Sequence, residues 1–169
     1  ADRAAGQGET HMASRFAVLA TALLIAFSAT PAAAAERQVE TLYKKARDMH
    51  GCSEKWATEN VVAECRQQIA AYRAAEAASD ATAEDKGFLG VERLKTQATL
   101  VAVLRVKKGD RAGARKELDA ALKDLETLAP GNENAFARVQ TLDLFRQAAL
   151  LELDGGSAAR ADAAIAEYR

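Results

Sequence analysis

The chain is poor in the residues from which catalytic and metal sites are usually built. Its 169 residues include two cysteines, two histidines, two prolines and one tryptophan, and 5% of them are aromatic. Two cysteines and the single histidine after residue 35 fall short of the four ligands of a structural zinc site, and no C-x-x-C pair occurs. No serine lies in a glycine elbow and no glycine-rich loop suits a phosphate. We therefore expect a protein that is not an enzyme and has no metal or cofactor.

The chain also lacks an excess of either charge, and it lacks long runs in which apolar and polar residues alternate. The formal net charge is −1, and this neutral balance argues against nucleic acid and against an anionic membrane surface as partners. Strong helix formers are abundant, whereas proline occurs only at positions 31 and 130. We therefore predict an all-α fold.

Residues 12–35 have the layout of a secretory signal peptide. Arg15 precedes an apolar run of roughly fourteen residues, short of the about twenty that span a bilayer, and alanines suited to cleavage follow it. We predict cleavage near Ala35 and a periplasmic or secreted protein without stable membrane insertion; an uncleaved anchor is the alternative. Residues 1–11 are interpreted as upstream residues outside the fold, and 36–169 as one helical domain. Tyr168 and Arg169 fall inside a predicted helix, so the sequence leaves open whether the natural chain continues past Arg169.

Apolar residues recur at helical spacing over most of this domain. Asn60 is placed to cap the second helix and Ser157 the last one, residues 79–87 form a polar connection, and Gly109 and the Pro130-Gly131-Asn132 segment end helices. The predicted helices cover about residues 36–50, 60–78, 88–107, 111–128 and 134–153, with a last one after Ser157. Six helices group as about three helical hairpins.

One pattern recurs in the second helix of each hairpin. It consists of a small residue, a large residue four positions later and an apolar residue three positions after that. The small residue allows two helices to approach closely, and the large one fills the gap between successive hairpins. A period between about 20 and 50 residues with a helical hairpin in each unit is typical of a helical solenoid. The copies are Cys65/Ile69/Tyr72, Ala114/Leu118/Ala121 and Ala161/Ile165/Tyr168, spaced by 49 and 47 residues.

The stretch GDRAGARKELDAAL, residues 109–122, followed by Pro130-Gly131-Asn132, resembles a tetratricopeptide repeat. The resemblance extends over Leu94 to Asn132, and Leu144 to Tyr168 is similar to a weaker second copy. The chain departs from the family pattern in two respects. Ala98 stands where the family usually has a large aromatic residue, and the repeat period exceeds 34 residues. An exported chain with a cysteine pair before the first good repeat is also similar to secreted bacterial repeat proteins.

The resemblance implies a right-handed superhelix whose groove, lined by the first helix of each hairpin, binds a protein or peptide partner. The polar groove positions that it assigns to this chain are Thr96, Thr99, Asp143 and Arg146. The same rule selects the apolar residues Val103, Val106, Leu150 and Leu153.

Cys52 and Cys65 lie 13 positions apart in the sequence. Cys52 follows the first predicted helix, and Cys65 lies on the inner face of the second. A zinc site lacks at least one ligand, and a redox pair normally has two residues between its cysteines at a helix start. An exported chain with an even cysteine number favours a structural disulfide, with unpaired buried thiols as the alternative. His50 is then a helix-end residue, and Trp56 is expected to cover the disulfide loop.

The sequence thus favours an exported, non-enzymatic, tetratricopeptide-like binding or scaffold module of the cell envelope. One alternative is a structural element that forms homo-oligomers through an apolar face containing Ile165 and Tyr168. Another is a small periplasmic helical-bundle enzyme or cofactor carrier. Partner and pathway stay open.

Overall fold

The computed structural model describes residues 36–52, 58–128 and 135–166, and for 135 and 136 the backbone alone. Helices make up 81% of these residues, and none of them lies in a strand, which confirms the all-α prediction. A π-helical turn, Val103–Lys107, continues α3. The helices are α1 (Gln38–Arg47), α2 (Val61–Glu76), α3 (Ala83–Ala102), α4 (Arg111–Leu128), α5 (Ala135–Gln140), α6 (Leu142–Asp154) and α7 (Ala158–Ala166). The predicted signal peptide, Trp56, Pro130-Gly131-Asn132 and Tyr168 lie outside the described residues.

Consecutive helices pack in pairs, α1 with α2, α3 with α4, and α6 with α7. α3 is the central element, because it also packs against α2 and α6. The first helices of the three pairs run in the same direction: Arg37 of α1 contacts Asp85 and Tyr43 contacts Phe88. At the other end of α3, Arg105 donates hydrogen bonds to Gln147 and Asp154 of α6. No helix within the described ranges is both long and apolar enough to cross a membrane.

The core follows the predicted small-and-large pattern in two of its three copies. Cys65/Ile69/Tyr72 and Ala114/Leu118/Ala121 are all buried. In the third copy Ala161 is buried but Ile165 is 45% exposed. Ile165 belongs to the last helical pair of the described residues, so this copy of the pattern has no further pair to pack against there.

The start of α3 differs from the prediction, whereas α2 begins after Asn60 as predicted. Residues 83–87 are helical and not part of a connection, because Thr82 and Asp85 form a capping box: the Asp85 N–H donates to the Thr82 hydroxyl, and the Thr82 N–H donates to the Asp85 carboxylate. Asn60 occupies the N-cap position of α2, but its side chain makes no capping hydrogen bond.

The helix predicted over residues 134–153 is divided, whereas the last helix begins after Ser157 as predicted. The stretch 134–153 is divided at Thr141, a buried residue between α5 and α6 whose hydroxyl donates to the carbonyl of Ala137 at 2.8 Å. Ser157 caps α7 as predicted, accepting from the Arg160 N–H at 3.4 Å. Gly109 ends the π-helical turn with φ +65°, a left-handed conformation that favours glycine.

Candidate functional site

Three clefts open along one face of α3. The residues of α3 that line them include Phe88, Glu92, Lys95 and Thr99, spaced by four, three and four positions. This spacing places their side chains in one row on the helix surface. We call the three clefts together the α3 groove, and we name each cleft N-terminal, central or C-terminal after its position along α3.

The central cleft has a volume of about 390 Å³, and polar and apolar atoms line it about equally. α3 forms its floor, the end of α1 and the following turn form one wall, and the start of α6 forms the other. Its charges balance, since two cations oppose two anions when His50 is neutral. The residues that line it are Arg47, His50, Cys52, Gln68, Tyr72, Glu92, Lys95, Thr96, Thr99, Gln140 and Asp143.

The C-terminal cleft, with a volume of about 300 Å³, shares Thr99 and Asp143 with the central cleft. Val106 of the π-helical turn and Leu150 of α6 also line it, and Val106 is 58% exposed. Because two residues belong to both clefts, these two clefts adjoin each other.

The N-terminal cleft is smaller, with a volume of about 190 Å³, and is mainly apolar. The rings of Tyr43 and Phe88 meet there edge to face, with their centroids 5.4 Å apart. Tyr43 and Phe88 lie one helical turn before Arg47 and Glu92 of the central cleft, and the Arg47 guanidinium lies 5.8 Å from the centre of the Tyr43 ring. The N-terminal cleft therefore adjoins the central cleft.

A disulfide forms part of the wall of the central cleft. Cys52 and Cys65 are bonded, with their Cα atoms 4.4 Å apart, and both are buried. The Cys52 sulfur lies 3.6 Å from the carbonyl oxygen of Thr96 on the floor of the cleft. The bond favoured by the sequence thus connects α2 to the segment after α1 and holds that segment against α3.

The turn before the disulfide is closely fitted. His50 is exposed and has φ +42°, a left-handed conformation in which histidine is among the more common non-glycine residues. A Cβ atom on Gly51 would lie 2.8 Å from the Cβ atom of Glu64 in α2. The backbone therefore approaches α2 at a distance that only glycine permits, and this places His50 at the rim of the cleft.

The polar side chains of the groove are bonded mainly to near neighbours on the same helix. The hydroxyl of Thr96 donates to the Glu92 carbonyl at 2.9 Å, and that of Thr99 donates to the Lys95 carbonyl at 3.2 Å. Lys95 also pairs with the Glu92 carboxylate at 2.8 Å. Such exposed pairs contribute little to stability, about 0–1 kcal/mol, so a ligand can replace them at low free-energy cost.

On α6 the same arrangement holds: Arg146 pairs with Asp143 at 3.0 Å, and both side chains are well exposed. Beneath the central cleft, the Gln68 amide donates to the Ala46 carbonyl at the end of α1. Burial raises the pKa of Tyr72, which lies beside Gln68. The side chains around Tyr72 are therefore packed, while the charges at the rim are free to rearrange.

An ion pair joins α1 to the capping box of α3 at the N-terminal cleft. Arg37 donates to the Asp85 carboxylate and to the Asp80 carbonyl. The hydrogen bond from Arg37, helped by those from Thr82, lowers the pKa of Asp85 to about 2, and the same bond raises the pKa of Arg37. Asp85 thus links the start of the groove floor to α1.

A fourth cleft, with a volume of about 430 Å³, lies on the opposite side of α3. Its central residue is Arg93, which is buried and donates to Glu76 of α2 at 2.7 Å, to Gln97 at 3.0 Å and to Asp124 of α4. These bonds satisfy the guanidinium within the protein, so we assign Arg93 to the packing of α2, α3 and α4.

The four polar groove positions implied by the resemblance all line the α3 groove. Thr96 lies in the central cleft and Arg146 in the C-terminal cleft, while Thr99 and Asp143 belong to both. Of the apolar positions that the same rule selects, Val106 and Leu150 line the C-terminal cleft. Val103 does not, because it is fully buried, and Leu153 is half-exposed but lines none of these clefts.

Sequence reasoning missed the wall formed by α1 and the following turn, with Tyr43, Arg47 and His50, and it missed Phe88 at the groove end. A usable signal was the row of Phe88, Glu92, Lys95 and Thr99 at helical spacing on the central helix. No sequence signal related Arg47 to Glu92, because the two residues are 45 positions apart.

Among the described residues, no group of three or more His, Cys, Asp and Glu side chains is arranged to hold a metal ion. Comparison of the chain with family models, with curated proteins and with solved structures gives no significant match.

Proposed function

We propose that this protein is an exported, non-enzymatic, tetratricopeptide-like module that binds a protein or peptide segment in the α3 groove. The observation that carries the proposal is the row of three adjoining clefts on one face of α3, with Thr99 and Asp143 shared between two of them. A row of adjoining clefts suits a chain segment better than a compact small molecule. Its charged side chains form weak, exposed pairs that a ligand can exchange.

The solenoid arrangement is supported by the pairing of helices and by the common direction of α1, α3 and α6. In such an array the first helices line one surface and the second helices the other. α2 and α4 are accordingly linked by ion pairs between Arg66 and Glu117, at 3.2 Å, and between Arg73 and Asp124, at 3.5 Å.

Binding is tested by selecting peptides from a random displayed library on the oxidised, folded protein. Thr99→Arg places a long charged side chain at the junction of the central and C-terminal clefts. Asp119→Arg places the same residue on an exposed position of α4 and is the matched control. We expect the selected peptides to bind at least about tenfold more weakly to Thr99→Arg, a loss of about 1.4 kcal/mol, and normally to Asp119→Arg. Equal binding to both variants would refute the groove as the binding site.

Export is tested by the intact mass of the protein made with its own N-terminus. We expect a mass that begins near Glu36 and a disulfide that protects both thiols from alkylation until reductant is added, because disulfides persist in oxidising compartments. Two freely alkylated thiols on an uncleaved chain would contradict export.

A second candidate function is self-association. The observation that favours it is the exposure of Ile165, 45%, on α7, since exposed apolar surface marks association sites when it forms a patch. Light scattering after size-exclusion chromatography should then give a multiple of the monomer mass that Ile165→Glu reduces to the monomer. A monomer at all concentrations would exclude this candidate.

A further inference from the structure

An exposed apolar side chain lies at each end of the α3 groove, and charged and polar side chains, including Arg105 and Asp143 of the C-terminal cleft, lie between them. At the N-terminal cleft Phe88 is 49% exposed beside Tyr43, and at the C-terminal cleft Val106 is 58% exposed beside Leu150. The central cleft exposes charged and hydroxyl-bearing side chains. Two apolar anchor points are therefore separated by a polar stretch.

The distance between the anchors follows from α3 itself. Phe88 and Val106 are 18 positions apart on a continuous helical segment, which corresponds to roughly 27 Å at 1.5 Å per residue. An extended peptide advances about 3.3 Å per residue. A segment of about eight or nine residues in extended conformation can therefore reach both anchors with its two end side chains.

The polar stretch distinguishes an extended ligand from a helical one. An amphipathic helix in a groove presents apolar side chains every three or four residues, and these would meet Glu92, Lys95 and Asp143 in the central cleft. An extended chain instead has unpaired backbone N–H and C=O groups at each residue, and these groups need polar partners. The central cleft supplies both donors and acceptors, with two cations and two anions.

We propose that the α3 groove binds an extended peptide segment of about eight or nine residues with a large apolar side chain at each end and a polar middle of no net charge. This inference rests on the proposed function and specifies its ligand. Phe88 with Tyr43 receives one end, and Val106 with Leu150 receives the other.

The test uses three capped synthetic peptides and ¹⁵N-labelled protein with its disulfide intact, titrated by NMR. The first peptide has a leucine at each end and seven serine or asparagine residues between them. The second has the same composition with its leucines three positions apart, and the third has no leucine. We expect the first to bind at least about tenfold more tightly than the second, since burying one further leucine contributes roughly that factor or more.

Variants identify the anchors. Phe88→Ser and Val106→Ser should each reduce the binding of the widely spaced peptide to that of the closely spaced one. Val139→Ser removes an apolar side chain of similar exposure from α5, outside the groove, and should leave the preference unchanged. Shifts of the Phe88 and Val106 amides should appear together in a single titration.

Two results would overturn the inference. Affinity that does not depend on leucine spacing overturns it, and so does a loss in Val139→Ser equal to the loss in Phe88→Ser. If library peptides still depend on Thr99 in either case, the groove keeps its proposed function and only the ligand class is wrong. The proposed function itself fails separately, when no selected peptide depends on Thr99.

Discussion

Arg93 illustrates how one residue can join three helices. Its guanidinium lies 7% exposed between α2, α3 and α4 and donates to two carboxylates and an amide oxygen. A buried charge is tolerated only when it is paired and hydrogen-bonded, and both conditions are met here. Its partners Glu76 and Asp124 are themselves partly solvated, so the bonds position the helices more than they bury charge.

Replacing this residue should be costly. We expect Arg93→Ala to lower the free energy of unfolding by roughly 2–4 kcal/mol, because it removes the hydrogen bonds to the Glu76 and Asp124 carboxylates together with a packed side chain. Urea unfolding followed by circular dichroism measures the change. The matched control is Arg66→Ala, which breaks the exposed pair with Glu117 and should change stability by about 0–1 kcal/mol. Equal effects of the two variants would show that Arg93 is not a packing residue.

At the scale of elements, the start of α3 depends on a carboxylate. Asp85 completes the capping box with Thr82 and accepts from Arg37 of α1. Because these bonds lower the pKa of Asp85 to about 2 from its ordinary 3.8, the unfolded state binds the proton more tightly than the folded state. The stabilisation is therefore present above the ordinary pKa and is lost as the pH falls towards about 2.

We expect Asp85→Asn to be less stable than the wild type at pH 6, and the difference to shrink as the pH falls from about 4 to 2. Thermal unfolding by circular dichroism across this range measures it. Asp119→Asn, which alters an exposed carboxylate of α4, is the control. A stability difference between Asp85→Asn and the wild type that stays constant down to pH 2 would contradict the ionic role of Asp85.

The disulfide acts at the level of the first helical pair. It joins two residues that lie 13 positions apart in the sequence, and it holds the segment after α1 against α2 and α3. Lys107 and Lys108 donate to the carbonyls of Thr58 and Glu59 near the start of α2. The same region is therefore fixed to the end of α3 by charged side chains as well.

Replacing both cysteines by alanine should lower the free energy of unfolding by about 3 kcal/mol in the chain-entropy model. Urea unfolding of the oxidised wild type and of the Cys52→Ala/Cys65→Ala double variant gives the value. Reductant should destabilise the wild type and leave the double variant unchanged. A double variant as stable as the oxidised wild type would show that the bond is dispensable for stability.

At the scale of the whole molecule, α3 is central and α7 is peripheral. Leu94, Leu100 and Val101 of α3 are fully buried, whereas Ala161 is the buried residue of α7. α7 packs chiefly against α6. The helices should therefore differ in local stability, since opening α7 exposes little apolar surface.

We predict that amide hydrogen exchange, measured by NMR on the oxidised protein, is slowest in α3 and fastest in α7. The α3 amides should exchange only through global unfolding and the α7 amides through local opening. The α2 amides serve as an internal reference, because α2 packs against both α1 and α3. Equal protection of α7 and α3 would mean that the described helices open only as one unit.

Much of the helical organisation was predictable at this scale. α4 spans Arg111–Leu128 as predicted, because Ala114, Leu118 and Leu125 form an apolar stripe between clear stop signals. The division at Thr141 and the π-helical turn were not predictable, since neither interrupts the apolar pattern. All four polar candidates of the groove line it, yet they came from the resemblance and not from the chemistry of the residues themselves.

The sequence by itself determined that the chain is helical and where most of its helices lie, because apolar periodicity and capping residues act over a few neighbouring positions. It also pointed to the bond between Cys52 and Cys65. Only the tertiary structure decided which faces meet, and with them the wall of the groove and the partners of Arg93. Residues such as Arg47 and Glu92 are 45 positions apart, and only the packing of whole helices brings such residues to one cleft.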